Sequence, residues 1–160
     1  MKKIKLFIDS SLNPQSKIGF GSYLFLDEEN ISFEEMKKNI KIKRFEDTSS
    51  TKLELQTFLW SLEEIIDKNV VIEVYTDCQN IVGLKDRREK LEKNDFHSSS
   101  RKLMSNHELY KEFFEKTDKL NIILTKVKGH KKNSLKDEID TIFNLVDKAS
   151  RNALRENMLT

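Results

Sequence analysis

At 160 residues the chain has the length of one domain built around a single hydrophobic core. Its 37% of hydrophobic residues can fill such a core and exclude wholesale disorder, while 35% of charged residues implies a heavily solvated surface. A net charge of +2 selects no class of partner, no apolar run nears the roughly 18 residues that span a bilayer, and the lone Cys78 excludes an internal disulfide or a cysteine-rich zinc site.

Met1-Lys2-Lys3 is basic, but Ile4 to Ile8 alternates with Lys5 and runs into Asp9, so a signal-peptide core is missing and a cytoplasmic location is expected. Ile4, Leu6 and Ile8 predict a strand that ends at Asp9. Ser10 to Ser16, holding Asn13-Pro14, reads as a turn. Gly19 to Leu26 and Ile40 to Phe45 then read as two further strands, and the short first connection favours an antiparallel meander. Leu55, Phe58, Leu59, Leu62, Ile65 and Ile66 predict an amphipathic helix over 52–68, with Thr51 and Glu54 as its capping box. Val70 to Thr76 is a buried, β-branched strand ending at Asp77, and the preceding helix lets it lie parallel to the first strand. Helices follow over 81–93 and 107–116, then a fifth strand over 122–127 leading into Gly129-His130. Ile139, Ile142, Phe143, Val146, Ala149, Ala153 and Leu154 mark a last helix, which a break near its start could divide. The order predicts an α/β fold: a five-stranded mixed sheet, three antiparallel strands and then parallel ones, flanked by helices.

Two of these strands end in aspartate, Asp9 and Asp77. Parallel neighbours would place the two ends about 4.8 Å apart, at the edge where open α/β sheets bind ligands. Carboxylates so placed repel unless a cation shares them, and hard oxygen donors suit magnesium. Two such ions about 3.5–4 Å apart are a device for in-line phosphoryl displacement. The plainer alternative, two turn or cap residues, stays open on spacing alone. Lys126, Lys128, Lys131, Lys132 and Lys136 surround His130 with no acid among them, a cluster that suits either phosphate or bulk water.

Five ordered blocks resemble ribonuclease H of type 1 over nearly the whole length. They are Lys5-Leu6-Phe7-Ile8-Asp9-Ser10-Ser11; Asn13-Pro14 with Gly19-Phe20-Gly21; Ser50-Thr51-Lys52-Leu53-Glu54-Leu55; Val74-Tyr75-Thr76-Asp77-Cys78-Gln79; and Val127-Lys128-Gly129-His130 with Leu145-Val146-Asp147-Lys148-Ala149. The resemblance implies an RNase H-like fold, one catalytic domain over residues 1–160 with a divergent handle-like segment at about 80–118. It implies a magnesium-dependent endoribonuclease that cuts the RNA strand of RNA–DNA hybrids and leaves 5′-phosphate and 3′-hydroxyl ends. Asp9, Glu54, Asp77 and Asp147 would bind two magnesium ions per active site, with manganese as a substitute. His130 would shuttle a proton or aid product release. Asn13 and Gln79 would hydrogen-bond bases or sugars, Lys52 would hold backbone phosphate, and Ser50 and Thr51 would line the minor groove. A monomer with no membrane and no obligate protein partner is expected.

The chain departs from that pattern in four places. Ser10 replaces the glycine usual after the first aspartate, and Ser50-Thr51 replaces the usual asparagine pair, which keeps open a nuclease for another nucleic acid. A hybrid-binding module without turnover is the non-enzymatic alternative. Lys85, Arg87, Arg88, Lys90, Lys93, Arg101 and Lys102 are diluted by Asp86, Glu89, Glu92 and Asp95, unlike a basic handle. The distance from His130 to Asp147 is longer than usual, so Asp140 is a rival fourth acid, though Val146-Asp147-Lys148-Ala149-Ser150-Arg151 fits the helix block. Cys78 is expected to be a small buried residue. His97 and His107 lack ligand spacing and read as surface residues, and Gly19-x-Gly21 is too short for a nucleotide-binding loop.

Overall fold

The structure is a computed structural model that describes residues 1–27, 31–128 and 137–159. Strands β1 (Lys2–Asn13), β2 (Ile18–Leu26), β3 (Lys41–Phe45), β4 (Val70–Thr76) and β5 (Asn121–Lys126) form one sheet in the order β3-β2-β1-β4-β5. β1 pairs antiparallel with β2 and parallel with β4, β2 pairs antiparallel with β3, and β4 pairs parallel with β5. The mixed sheet expected from the sequence is therefore present, with β1 at its centre.

Alternation along β1 feeds two cores. Leu6 and Ile8 are buried on one face beneath α2 (Ser50–Leu62), α3 (Gln79–Val82), α4 (Leu84–Lys93) and α5 (His107–Asp118), where Phe58 and Phe113 pack. Phe7 is buried on the other face with Leu24, Met36 of α1 (Phe33–Asn39), and Ile142, Phe143 and Val146 of α6 (Glu138–Met158). Each such fully buried side chain contributes about 1.5–3 kcal/mol. Covering both faces explains why β1 reads as a nearly continuous apolar run from Ile4 to Ile8.

Several boundaries differ from the sequence-based expectation. β1 does not stop at Asp9; it continues through Ser10 to Asn13 because β2 keeps pairing with it, Asp9 opposite Ser22 and Ser10 opposite Gly21. The turn is correspondingly shorter and closes on Asn13, whose side-chain oxygen accepts the Gln15 N–H at 3.0 Å. The Thr51–Glu54 capping box is absent: Ser49 is the N-cap, without a side-chain cap bond, and Thr51 and Glu54 look elsewhere. α2 ends at Leu62 rather than 68, leaving Ile66 93% exposed. The helix over 81–93 is two pieces meeting at Gly83. α1, not anticipated, buries only Met36 and so shows no apolar stripe. α6 is unbroken, opened by a capping box in which the Asp140 N–H donates to Asp137 Oδ1 at 2.9 Å and the Asp137 N–H to Asp140 Oδ2 at 3.3 Å.

Glycine is required where α2 lies on β2. A Cβ on Gly21 would sit 2.3 Å from Thr57 Oγ1, and one on Gly19 would sit 2.5 Å from Leu53 Cδ2. This close approach carries the first turns of α2, and Glu54 with them, to the place where β4 ends beside Asp9 of β1.

Candidate active site

Phe7 pairs with Tyr75 at the end of the parallel ladder, and Asp9 and Asp77 lie two residues beyond each. The two acids thus lie in register just beyond the parallel ladder, Asp9 still within β1 and Asp77 immediately after β4. Glu54 comes from α2 and accepts a hydrogen bond from Cys78 Sγ at 2.8 Å. Asp147 comes from α6, half-buried next to Val146 of the core that packs Phe7, and its carboxyl hydrogen-bonds that of Asp9. Asp147 Oδ2 also lies 2.9 Å from Arg151 Nη2.

Hydroxyl groups pin this turn of α6 to the sheet. Buried Ser22 on β2 donates to the Val146 carbonyl at 2.8 Å. Ser150 donates to the Asp147 carbonyl at 3.0 Å, and its oxygen lies 3.2 Å from Ser11 Oγ on β1. Serines at these positions offered no periodic signal in the sequence, so their part in locating Asp147 emerges only from the fold.

The electrostatics follow from this crowding. Burial raises the Asp9 carboxyl most, the hydrogen bond to Asp147 and the charge of Asp77 raise it further, and together they push it to about 9 despite the Ser10 backbone N–H. Burial and Asp77 also raise Glu54, against the lowering effect of the Cys78 hydrogen bond. Cys78 itself, buried and facing Glu54, is pushed up to about 12, which suits the small inert residue expected there.

Among the described residues, no three histidine, cysteine, aspartate or glutamate side chains converge on one metal-sized point. Cys78 engages Glu54 and Arg151 engages Asp147, so the acids meet in pairs. The donor set nevertheless fits a hard divalent cation. It is carboxylate oxygen, and an acid driven to about 9 by burial and by the neighbouring acids marks a place where positive charge would be favoured.

Beside the acids runs a groove of about 700 Å³ lined by Ser50, Thr51, Glu54, Asp77, Cys78, Gln79, Asn80, Gly83 and Arg87. Of the residues expected to touch a substrate, Ser50, Thr51 and Gln79 line it. Lys52 does not line it; its Nζ donates to the Asp47 carbonyl at 3.0 Å. Asn13 sits at the tip of β1, its side-chain oxygen occupied by the turn. His130, Lys131, Lys132 and Lys136 lie outside the described residues, while Lys126 and Lys128 are exposed. Asp140, the rival fourth acid, is buried in the first turn of α6 within its capping box. Asn80 also lines the groove, and a single exposed asparagine after Gln79 carries no pattern in the sequence.

Residues 1–153 match the family model described as RNase H. The chain belongs to the RNase H family. It is 26% identical over 147 residues to a protein named ribonuclease H from Clostridium botulinum strain Hall, covering 90% of this chain and 95% of that one. It is 29% identical over 124 residues to a ribonuclease H from Caldicellulosiruptor saccharolyticus, covering 74% and 80%. A solved structure described as the foamy viral protease-reverse transcriptase in complex with dsDNA matches with a TM-score of 0.61 at 9% identity, over 92% of each chain, a likeness of fold.

Most of the segment expected to be handle-like, at about 80–118, consists of α4, α5 and the loop between them. Arg88 is consumed within it, donating to Asp118 at 2.6 and 2.9 Å and to Glu92 at 2.8 Å, with its guanidinium 4.9 Å from the Phe114 ring centre. Arg87 faces the other way and lines both the groove and a second cavity of about 660 Å³ with Lys90, Asn94, His97, Ser98 and Arg101. Asp86, Glu89 and Glu92 do not line either cavity, so the acids that dilute the segment in sequence are segregated by the helix. Among the described residues no helix is long and apolar enough to cross a membrane.

Proposed function

We propose that this chain is an endoribonuclease that hydrolyses the RNA strand of RNA–DNA hybrids, leaving 5′-phosphate and 3′-hydroxyl ends, and that it works in the cytoplasm as a single monomeric catalytic domain. Membership of the RNase H family supports the reaction class. The observation that carries the chemistry is the gathering of carboxylates at the sheet edge: Asp9, Glu54 and Asp77 line one small cavity, Asp147 meets Asp9, and Glu54 and Asp77 also line the adjoining groove.

Asp9, Glu54, Asp77 and Asp147 would hold magnesium, two ions per site with manganese as a substitute. When bound, the ions supply polarisation of the attacking water and neutralisation of charge on the departing ribose 3′ oxygen. The chain's own groups do the rest. Ser22 and Ser150 fix the α6 turn so that Asp147 faces Asp9. Ser50, Thr51 and Gln79 present donors and acceptors along the groove, where a ribose 2′-hydroxyl distinguishes RNA from DNA. Lys52 and the exposed Lys126 and Lys128 offer charge to backbone phosphates. His130 would receive or deliver a proton at its imidazole, a task that needs a group titrating near neutrality.

Ser50-Thr51 in the groove, in place of an asparagine pair, supports a second reading: the same fold acting on another nucleic acid. Cleavage of an RNA–DNA hybrid, duplex RNA and duplex DNA of one sequence, each with and without magnesium, decides between them. Cleavage of the RNA strand of the hybrid alone, dependent on magnesium, is the expected result. Equal or better cleavage of either duplex would transfer the assignment, and binding of hybrid without cleavage would leave only the non-catalytic module.

A further inference from the structure

The groove contains a hydrogen-bonded relay that joins α2 to α4 through α3. Asn80 Nδ2 donates to Thr51 Oγ1 at 3.2 Å, and Arg87 Nη1 donates to Asn80 Oδ1 at 3.2 Å. The carboxamide is therefore fixed at both ends, on the same groove wall as Glu54 and Asp77. A primary amide has two N–H donors and an oxygen with two lone pairs. One N–H and one lone pair are spent on the relay. The other N–H and the other lone pair remain to be satisfied, and Asn80 is exposed.

We infer that Asn80 is a specificity-determining residue of this groove, presenting from α3 a carboxamide held in place by Thr51 and Arg87. Its remaining donor and acceptor match a ribose 2′-hydroxyl, which is itself both donor and acceptor. Fixing the amide in advance matters because an exposed asparagine otherwise loses side-chain entropy on contact. Thr51 and Arg87 act as positioning residues, and Arg87 keeps further guanidinium N–H groups for a neighbouring phosphate. This assignment rests on the hybrid-directed function proposed above.

The test measures binding of a labelled RNA–DNA hybrid and the same-sequence DNA duplex by fluorescence anisotropy in metal-free buffer, so that it is independent of turnover. Asn80→Ala should weaken hybrid binding about 5- to 10-fold, the value of one lost hydrogen bond, and DNA binding by less than about twofold. Asn80→Gln should recover part of the loss. Thr51→Val should reproduce part of it in the parent and should cost less in Asn80→Ala than in the parent, because the positioning share of its effect is already lost. With magnesium, KM for the hybrid should rise while kcat stays within about twofold. Equal losses on hybrid and DNA, or none on either, would overturn the assignment. So would a lowered melting temperature with the hybrid preference intact, because Asn80 would then be a structural tie between α2 and α4. A chain that cleaves none of the substrates yet prefers hybrid through Asn80 would sink the nuclease function and keep this inference.

Discussion

Asp9 on β1 and Asp147 on α6 share a hydrogen bond between their carboxyl groups. Two carboxyls bond in this way only when a proton lies between them, and burial with a third acid nearby holds that proton on Asp9 up to about 9, from an ordinary 3.8. The folded form therefore binds more protons than the unfolded one across that window. The stability this group contributes is complete below 3.8 and is lost as pH rises through about 9. The metal-free protein should melt at progressively lower temperature from about pH 5 to pH 9. Asp9→Asn should flatten the profile, and added magnesium should restore the parent's melting temperature at the alkaline end. A parent profile as flat as that of Asp9→Asn would remove the shared proton.

Asp140 and Asp147 should fail in different ways. Asp140 belongs to the capping box of α6, so Asp140→Ala should cost about 1 kcal/mol of stability while turnover per folded molecule holds. Asp147→Asn should abolish most turnover at saturating magnesium with little change in denaturant midpoint. Parallel urea titrations and initial rates separate the two, and the opposite pattern would exchange their roles.

The adjacent arginines of α4 also divide. Arg87→Ala should flatten the dependence of log affinity on log salt by about one unit, because it removes one phosphate contact. Arg88→Ala should leave the slope unchanged and instead lower the urea midpoint, through lost packing on Phe114 and lost pairing with Asp118. Equal slopes for Arg87→Ala and the parent would put the phosphate contacts on another part of the surface.

Cys78 should be inert in the folded protein. It is 7% exposed and its thiol is pushed up to about 12, so almost no thiolate exists at pH 8. Iodoacetamide at that pH should label it only after denaturation, as read by intact mass. Fast labelling of the native chain would mean that the contact with Glu54 opens readily.

The strands and the larger helices were readable in the sequence because their burial is periodic, and the five motif blocks placed the acids in order. What escaped had a physical reason in each case. The apolar alternation of β1 stops at Asp9 because Ser10 and Ser11 break it, although pairing with β2 extends the strand to Asn13. Thr51 and Glu54 have capping-box spacing, but Asn80 and Cys78 compete for their side chains. The relay through Asn80 and the serines holding α6 join residues distant in sequence, and such contacts leave no local pattern. Arg88 and Arg87 look alike in a list of charges and differ only once the helix has turned them apart.

The docking of α6 also sets a timetable. Ser11 and Ser150 meet although 139 positions separate them, and Asp147 follows every strand of the sheet in the chain. On the ribosome, Asp9, Glu54 and Asp77 emerge long before the acid that completes the proposed set. With synthesis at about 5–20 residues per second, a nascent chain spends about one to four seconds between finishing β5 and exposing Asp147. In this order the proposed site gains its fourth acid last, and it stays incomplete until α6 docks on the finished sheet.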